Sequence, residues 1–164
     1  MLKIKVIADN ILNLTDARYF AAYGVDYLVF DIEKIAPQSI REIKEWIEGV
    51  KIFLDAEGQV TPAMLDLIIN LSPNGFVSGS EALLDDLNSQ FSELEFFLRQ
   101  ADGTLTNHID KDELPYKKIS TTESIESLIT SDKISGIIVE GEPEEKVGFK
   151  NFDQLDKIFE LIAI

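Results

Sequence analysis

The chain has no cysteine, a single histidine and a single tryptophan. Without cysteine there is no disulfide, no thiol nucleophile and no thiolate metal site. One imidazole, His108, is too few to build a zinc centre, and a lone loop histidine is expected to be solvent-exposed. Basic residues are scarce: 15 Lys and Arg stand against 30 Asp and Glu, a net charge of −15. A field of that sign repels polyanions, so nucleic acid and anionic membrane surfaces are not expected partners. It also acts at long range against phosphorylated ligands, although backbone amides at a helix N-terminus can still hold a phosphate. No apolar run approaches the about 18 residues of a membrane span. The first residues, Met1-Leu2-Lys3-Ile4-Lys5-Val6, alternate charge with apolar side chains. That pattern suits a strand better than a signal peptide. The expectation is a cytoplasmic protein with no cofactor.

What the chain does have is short apolar runs at even spacing. They are Ile4–Ala8, Tyr27–Ile32, Lys51–Leu54, Gly75–Val77, Leu94–Leu98, Lys117–Ile119 and Gly136–Val139. Most are continuously apolar rather than alternating, as in strands of a parallel sheet buried on both faces. Helical periodicity fills most of the gaps, with capping residues at the ends. Thr15 can open a helix that Gly24 stops. Ser39 with Glu42 makes a capping box before a helix closing at Gly49, with Trp46 on its apolar stripe. Thr61-Pro62 places a cap before a proline at the first helical position. Ser80, Thr122 and Asn151 can open further helices.

Strand and helix alternate about seven times, which requires right-handed crossovers and a parallel sheet. The expected fold class is α/β, a shortened TIM-type (β/α) barrel of about seven parallel strands, as a single domain over 1–164. The alternative is an open, doubly wound sheet. Such barrels usually need roughly 200 residues or more, so one repeat must be short. The stretch Ala101–Tyr116 breaks the rhythm and reads as a loop or a collapsed sixth repeat. An incomplete barrel leaves open strand edges, which a loop or a second copy of the chain must cover; a homo-oligomer is therefore an expected partner state.

Both ends of the chain resemble phosphoribosylanthranilate isomerase, a tryptophan-biosynthesis barrel of the ribulose-phosphate-binding group. Lys5-Val6-Ile7-Ala8 is similar to that family's Lys-Ile-Cys-Gly strand end. Asp16-Ala17-Arg18 and Ala21-Ala22-Tyr23-Gly24-Val25-Asp26-Tyr27-Leu28-Val29-Phe30 resemble its first helix and second strand. Lys118-Ile119-Ser120-Thr121-Thr122-Glu123-Ser124-Ile125 resembles the seventh strand and the start of its helix. Gly136–Gly141, followed by Val147-Gly148-Phe149-Lys150-Asn151, resembles the eighth strand and its loop. The resemblance implies a barrel and, in the parent, an Amadori rearrangement that needs a general base and a general acid.

The departures imply a diverged member. Ile7 stands where the family's cysteine base would be. The family's acid ends a sixth strand that is not evident here. The loop after the second strand reads Lys34-Ile35-Ala36-Pro37-Gln38, without the substrate arginine. Ser120-Thr121-Thr122 replaces phosphate-site glycines, and Glu140 puts a negative charge beside them. The expectation is thus an isomerase-like protein without the parent activity. The alternative is an active isomerase whose catalytic residues have moved, with Asp9 or Asp55 as candidates.

On a barrel, function usually gathers at the C-terminal ends of the strands. The candidate pocket there comprises Asp9, Asp31, Asp55, Ser78, Arg99, Ser120, Thr121 and Gly141, with Glu57 and Glu140 beside them. A small phosphorylated molecule is the expected ligand, and no metal site is expected. On an open sheet, Asp9, Asp55 and Ser78 would instead resemble a response-regulator receiver, which binds Mg²⁺ and accepts a phosphoryl group.

Overall fold

The computed structural model describes residues 1–119, 125–130, 133–141 and 152–164. The elements are β1 (Lys5–Asp9), α1 (Leu14–Tyr23), β2 (Tyr27–Asp31), α2 (Pro37–Trp46), β3 (Lys51–Asp55), α3 (Pro62–Leu71) and β4 (Gly75–Ser78). They continue with α4 (Glu81–Gln90), β5 (Glu95–Arg99), β6 (Leu105–Asn107), β7 (Tyr116–Lys118), α5 (Ile125–Thr130), β8 (Gly136–Glu140) and α6 (Asp153–Ile162). The eight strands close into a barrel in sequence order. β1 to β5, β7 and β8 share one direction, and β6 alone runs against its neighbours. The expected seven parallel strands are therefore present.

The sixth repeat is reduced and inverted rather than deleted. Residues 100–104 form a tight turn between β5 and β6. Gln100 N–H donates to Thr104 O at 2.8 Å, and Gly103 N–H donates to Gln100 O at 3.0 Å. Asp102 accepts from Thr104 N–H at 2.9 Å, and Gly103 takes φ +88°. A parallel crossover needs a dozen residues or more, so so short a connection can only return the chain antiparallel. The side chains facing out from β6 and β7 are Thr106 and the exposed Lys117, because Leu105 and Tyr116 face in. An outer face that polar needs no helix over it, which is why the ring closes at this length. Closure also removes the open edge on which the oligomer expectation rested, and it overturns the open-sheet alternative.

Alternation along each strand divides the core in two. Ile7, Tyr27, Val29, Phe53, Val77, Phe97, Leu105, Tyr116 and Ile138 point inward and fill the barrel. Their neighbours Val6, Ala8, Leu28, Phe30, Leu54, Phe76, Phe96 and Val139 point outward and pack with the helices. Continuous apolar runs are the direct consequence. Two inward positions are glycine because large rings lie across them. A Cβ on Gly75 would fall 2.7 Å from the Phe53 ring and 2.2 Å from Glu95 O; one on Gly136 would fall 2.8 Å from the Tyr116 ring.

Helix boundaries follow the capping chemistry in part. Thr61 and Ser80 accept from Met64 N–H and Leu83 N–H, both at 3.2 Å, and Gly24 ends α1 in the left-handed region. Other starts differ. Asn13, not Thr15, caps α1 by accepting from Asp16 N–H at 2.8 Å. α2 begins at Pro37 with no side-chain cap, so the Ser39–Glu42 box lies inside the helix, which ends at Trp46, ahead of Gly49. Thr122 and Asn151 lie outside the described residues. Trp46, on the apolar stripe of α2, is 68% exposed. His108 is buried, and its Nε2 sits 2.7 Å from Asp85 Oδ1 on α4. No helix among the described residues is long and apolar enough to cross a membrane.

Candidate functional site

The strand period that fills the barrel also builds its mouth. Two residues beyond Ile7, Val29, Phe53, Phe97 and Ile138 come Asp9, Asp31, Asp55, Arg99 and Glu140. These five again point inward, and with Asn10 and Lys34 they line a cavity of about 350 Å³. Three expected site residues do not share it. Ser78 follows the inward Val77, so it faces the other way. It is fully buried, donates to Glu57 Oε2 at 3.2 Å and accepts from Ser80 N–H at 3.0 Å. Glu57 also accepts from Gly79 N–H at 2.8 Å, so its carboxylate occupies the entry to α4. Gly141 is buried against α1, where an added Cβ would lie 2.4 Å from Asp16 Oδ2. Ser120 and Thr121 lie outside the described residues.

Arg99 holds the mouth together. Its Nη1 donates to Asp9 Oδ2 at 2.8 Å and its Nη2 to Asp9 Oδ1 at 3.3 Å, a two-pronged pair. Nη2 also donates to Asp55 Oδ2 at 2.8 Å. One guanidinium thus ties β1, β3 and β5 together across the barrel. Side-chain exposures are 7% for Asp9, 17% for Asp55 and 27% for Arg99, so the triad is largely removed from water. The rim pairs are more exposed. Lys34 Nζ lies 3.9 Å from Asp31 and 3.4 Å from Asn10 Oδ1, and Lys118 Nζ lies 2.9 Å from Glu140. Among the described residues, no group of three or more His, Asp or Glu could hold a metal ion. A guanidinium stands between Asp9 and Asp55, where a receiver would need Mg²⁺.

Burial alone would lower the Arg99 value, but its bonds and charge contacts with Asp9 and Asp55 carry it above its ordinary value. Burial pushes the Asp55 carboxyl up; Asp9 and Asp31 add to this and Arg99 opposes it, leaving it at about 6. Its ordinary value is 3.8, so between those pH values the folded state holds more protons than the unfolded state. Stability from this group therefore falls as pH rises from about 4 to about 6, and the full penalty persists above that. Asp55→Asn removes the penalty. Urea unfolding should show it more stable than wild type by about 1–3 kcal/mol at pH 8, with the gain gone at pH 4. A gain independent of pH, or a loss at pH 8, would contradict this account.

Sequence patterning could place these carboxylates at strand ends but not say which face each occupied. The unrecognised members of the mouth, Asn10 and Lys34, had only their positions just past β1 and in the β2–α2 loop as signals. The inversion of β6 left one local signal: Asp102-Gly103, a turn-forming pair shortly after the apolar run of β5.

No family model matches the chain, and no curated protein matches it. Solved structures do resemble it over nearly the whole length. A phosphoribosylanthranilate isomerase from Thermus thermophilus superposes with a TM-score of 0.69 at 16% identity, covering 96% of this chain and 97% of that one. A monomeric form of the dimeric isomerase from Thermotoga maritima gives 0.66 at 17% identity, covering 95% and 96%. The Pyrococcus furiosus isomerase gives 0.65 at 13% identity, covering 96% and 97%. Identities this low speak for the fold alone: this chain has the TIM-type barrel fold of the phosphoribosylanthranilate isomerases.

Proposed function

We propose that this chain is a diverged barrel of the phosphoribosylanthranilate isomerase type that does not carry out the parent isomerisation. The observation that carries the reading is the use of Arg99. The arginine that could meet an anionic substrate at the mouth is consumed by Asp9 and Asp55. Among the described residues, four carboxylates line the cavity against two cations, a balance that disfavours a substrate carrying both a phosphate and a carboxylate. Ile7, at the position resembling the family's cysteine base, is fully buried inside the barrel and has no group that takes a proton. β6 runs antiparallel, so its C-terminal end points away from the mouth, whereas the family's acid sits at a strand end facing it.

The test is turnover of phosphoribosylanthranilate followed by its fluorescence. The expected result is no conversion above the buffer rate. Turnover at about 1 s⁻¹ or faster would overturn the proposal. A second reading, isomerisation with relocated residues, is favoured by the Asp55 carboxyl, which at about 6 is near the range useful for proton transfer. Turnover that Asp55→Asn abolishes would establish it.

A further inference from the structure

The two carboxylates on Arg99 are not equivalent. Asp9 makes the two-pronged pair, is 7% exposed, and is further held by Asn10 N–H at 2.9 Å. Asp55 makes one contact, to Nη2, and is more exposed. Among the described residues, the charged groups acting on Asp55 are Asp9 on β1, Asp31 on β2 and Arg99 on β5; Glu140 on β8, paired with Lys118 on β7, and Lys34 complete the charged lining of the mouth. Asp9 and Asp31 both oppose ionisation of Asp55, so as an anion it sits among like charges. Asp9 is the firm partner of Arg99 and Asp55 the dispensable one.

We propose that the mouth is a proton-gated site for a small oxyanion, with Arg99 as its cation and Asp55 as the built-in competitor. When Asp55 carries a proton, the Nη2 edge of Arg99 is released toward the cavity. Lys34, exposed and loosely held, and the protonated Asp55 itself supply the further donors. An incoming carboxylate, sulfate or phosphate monoester then takes the place that the Asp55 carboxylate vacates. The cavity, at about 350 Å³, has room for such a group. In the ionised state the same place is filled by the protein's own anion. The burial that raises the Asp55 carboxyl to about 6 puts the change between pH 5 and pH 8. If only the protonated form binds, affinity follows the protonated fraction and drops about 100-fold across that interval.

The proposal rests on reading the mouth as the site of a diverged barrel, and its test is independent of the turnover assay. Sulfate binding is measured by calorimetry at pH 5 and pH 8, at constant ionic strength set with chloride. Sulfate keeps its charge over this range, so any pH dependence belongs to the protein. Wild type is expected to bind at least ten-fold tighter at pH 5. Asp55→Asn is expected to bind about equally at both pH values, and more tightly than wild type at pH 8. Because the variant keeps the chain's other titrating groups, it separates the competitor from the general loss of negative charge. A wild-type ratio below ten-fold, or a variant no tighter than wild type at pH 8, overturns the proposal. Turnover of phosphoribosylanthranilate would overturn the earlier reading while leaving these isotherms unchanged.

Discussion

Replacing Arg99 with methionine is expected to destabilise the fold by about 3 kcal/mol at pH 7, because breaking a buried ion pair strands the partner charge. Asp9 and Asp55 would then face each other in a largely water-excluded mouth, with Asp31 and Glu140 nearby. For a chain of this length the loss corresponds to a fall in Tm of about 10 °C. Methionine keeps most of the stem volume, so the effect is electrostatic rather than a cavity. Two further measurements identify the cause. The deficit should shrink as pH is lowered toward 4, since a buried carboxylate without its cation takes up a proton. The double variant with Asp55→Asn should recover part of the loss at pH 7. A deficit that neither acid nor the second substitution reduces would assign Arg99 a packing role instead.

The other large effect is expected inside the barrel. Phe97 is 1% exposed, and its ring meets those of Tyr27, Phe53 and Tyr116 at centroid distances of 5.5, 5.3 and 5.3 Å. Phe97→Ala removes a ring that touches the other three. Truncations of this kind cost about 3–5 kcal/mol, the lost transfer energy plus the cavity left behind. A closed barrel relaxes poorly into such a cavity, because its strands are tied on both sides by hydrogen bonds. Denaturant unfolding should show a lower midpoint with an unchanged slope. A loss under about 1 kcal/mol would mean that the neighbouring rings collapse into the space.

The two effects share a cause that runs through the molecule. Phe97 and Arg99 are successive inward positions of β5, one filling the barrel and the next reaching its mouth. The same step links Ile7 to Asp9 and Phe53 to Asp55. The plug of rings supports the charged layer above it and keeps water from approaching it from below. The raised Asp55 carboxyl depends on that layer's dryness before its neighbours' charges, of which Arg99 opposes the rise.

Much of the fold was legible in the sequence. Apolar runs such as Tyr27–Ile32 and Lys51–Leu54 marked strands buried on both faces. Thr61-Pro62 and Ser80 marked two helix starts by local hydrogen-bond chemistry, and these signals operate over three or four residues. The even strand–helix repeat led to the barrel as a whole, and the resemblance of the first and last repeats to phosphoribosylanthranilate isomerase implied the same fold. Less legible were features that depend on distant partners. Leu105-Thr106-Asn107 is too short to announce a strand; it becomes one because Phe97–Arg99 on one side and Tyr116 on the other offer it backbone partners. His108 looked like an exposed loop residue because nothing local shows that Asp85, on α4, comes to meet it.

The sequence by itself determined the alternation of strands and helices, the acidic balance and the supply of carboxylates at strand ends, all properties of nearby residues. Only the tertiary structure decided which of those carboxylates meet. Asp9, Asp55 and Arg99 are far apart in the chain and share one cluster solely because ring closure brings β1, β3 and β5 around a common axis. Ser78, one residue out of phase, is turned away by the two-residue period of the strand. Whether the mouth is an open basic pocket or one filled by its own ion pairs is set by that closure, since electrostatic energy depends on distances in space rather than along the chain.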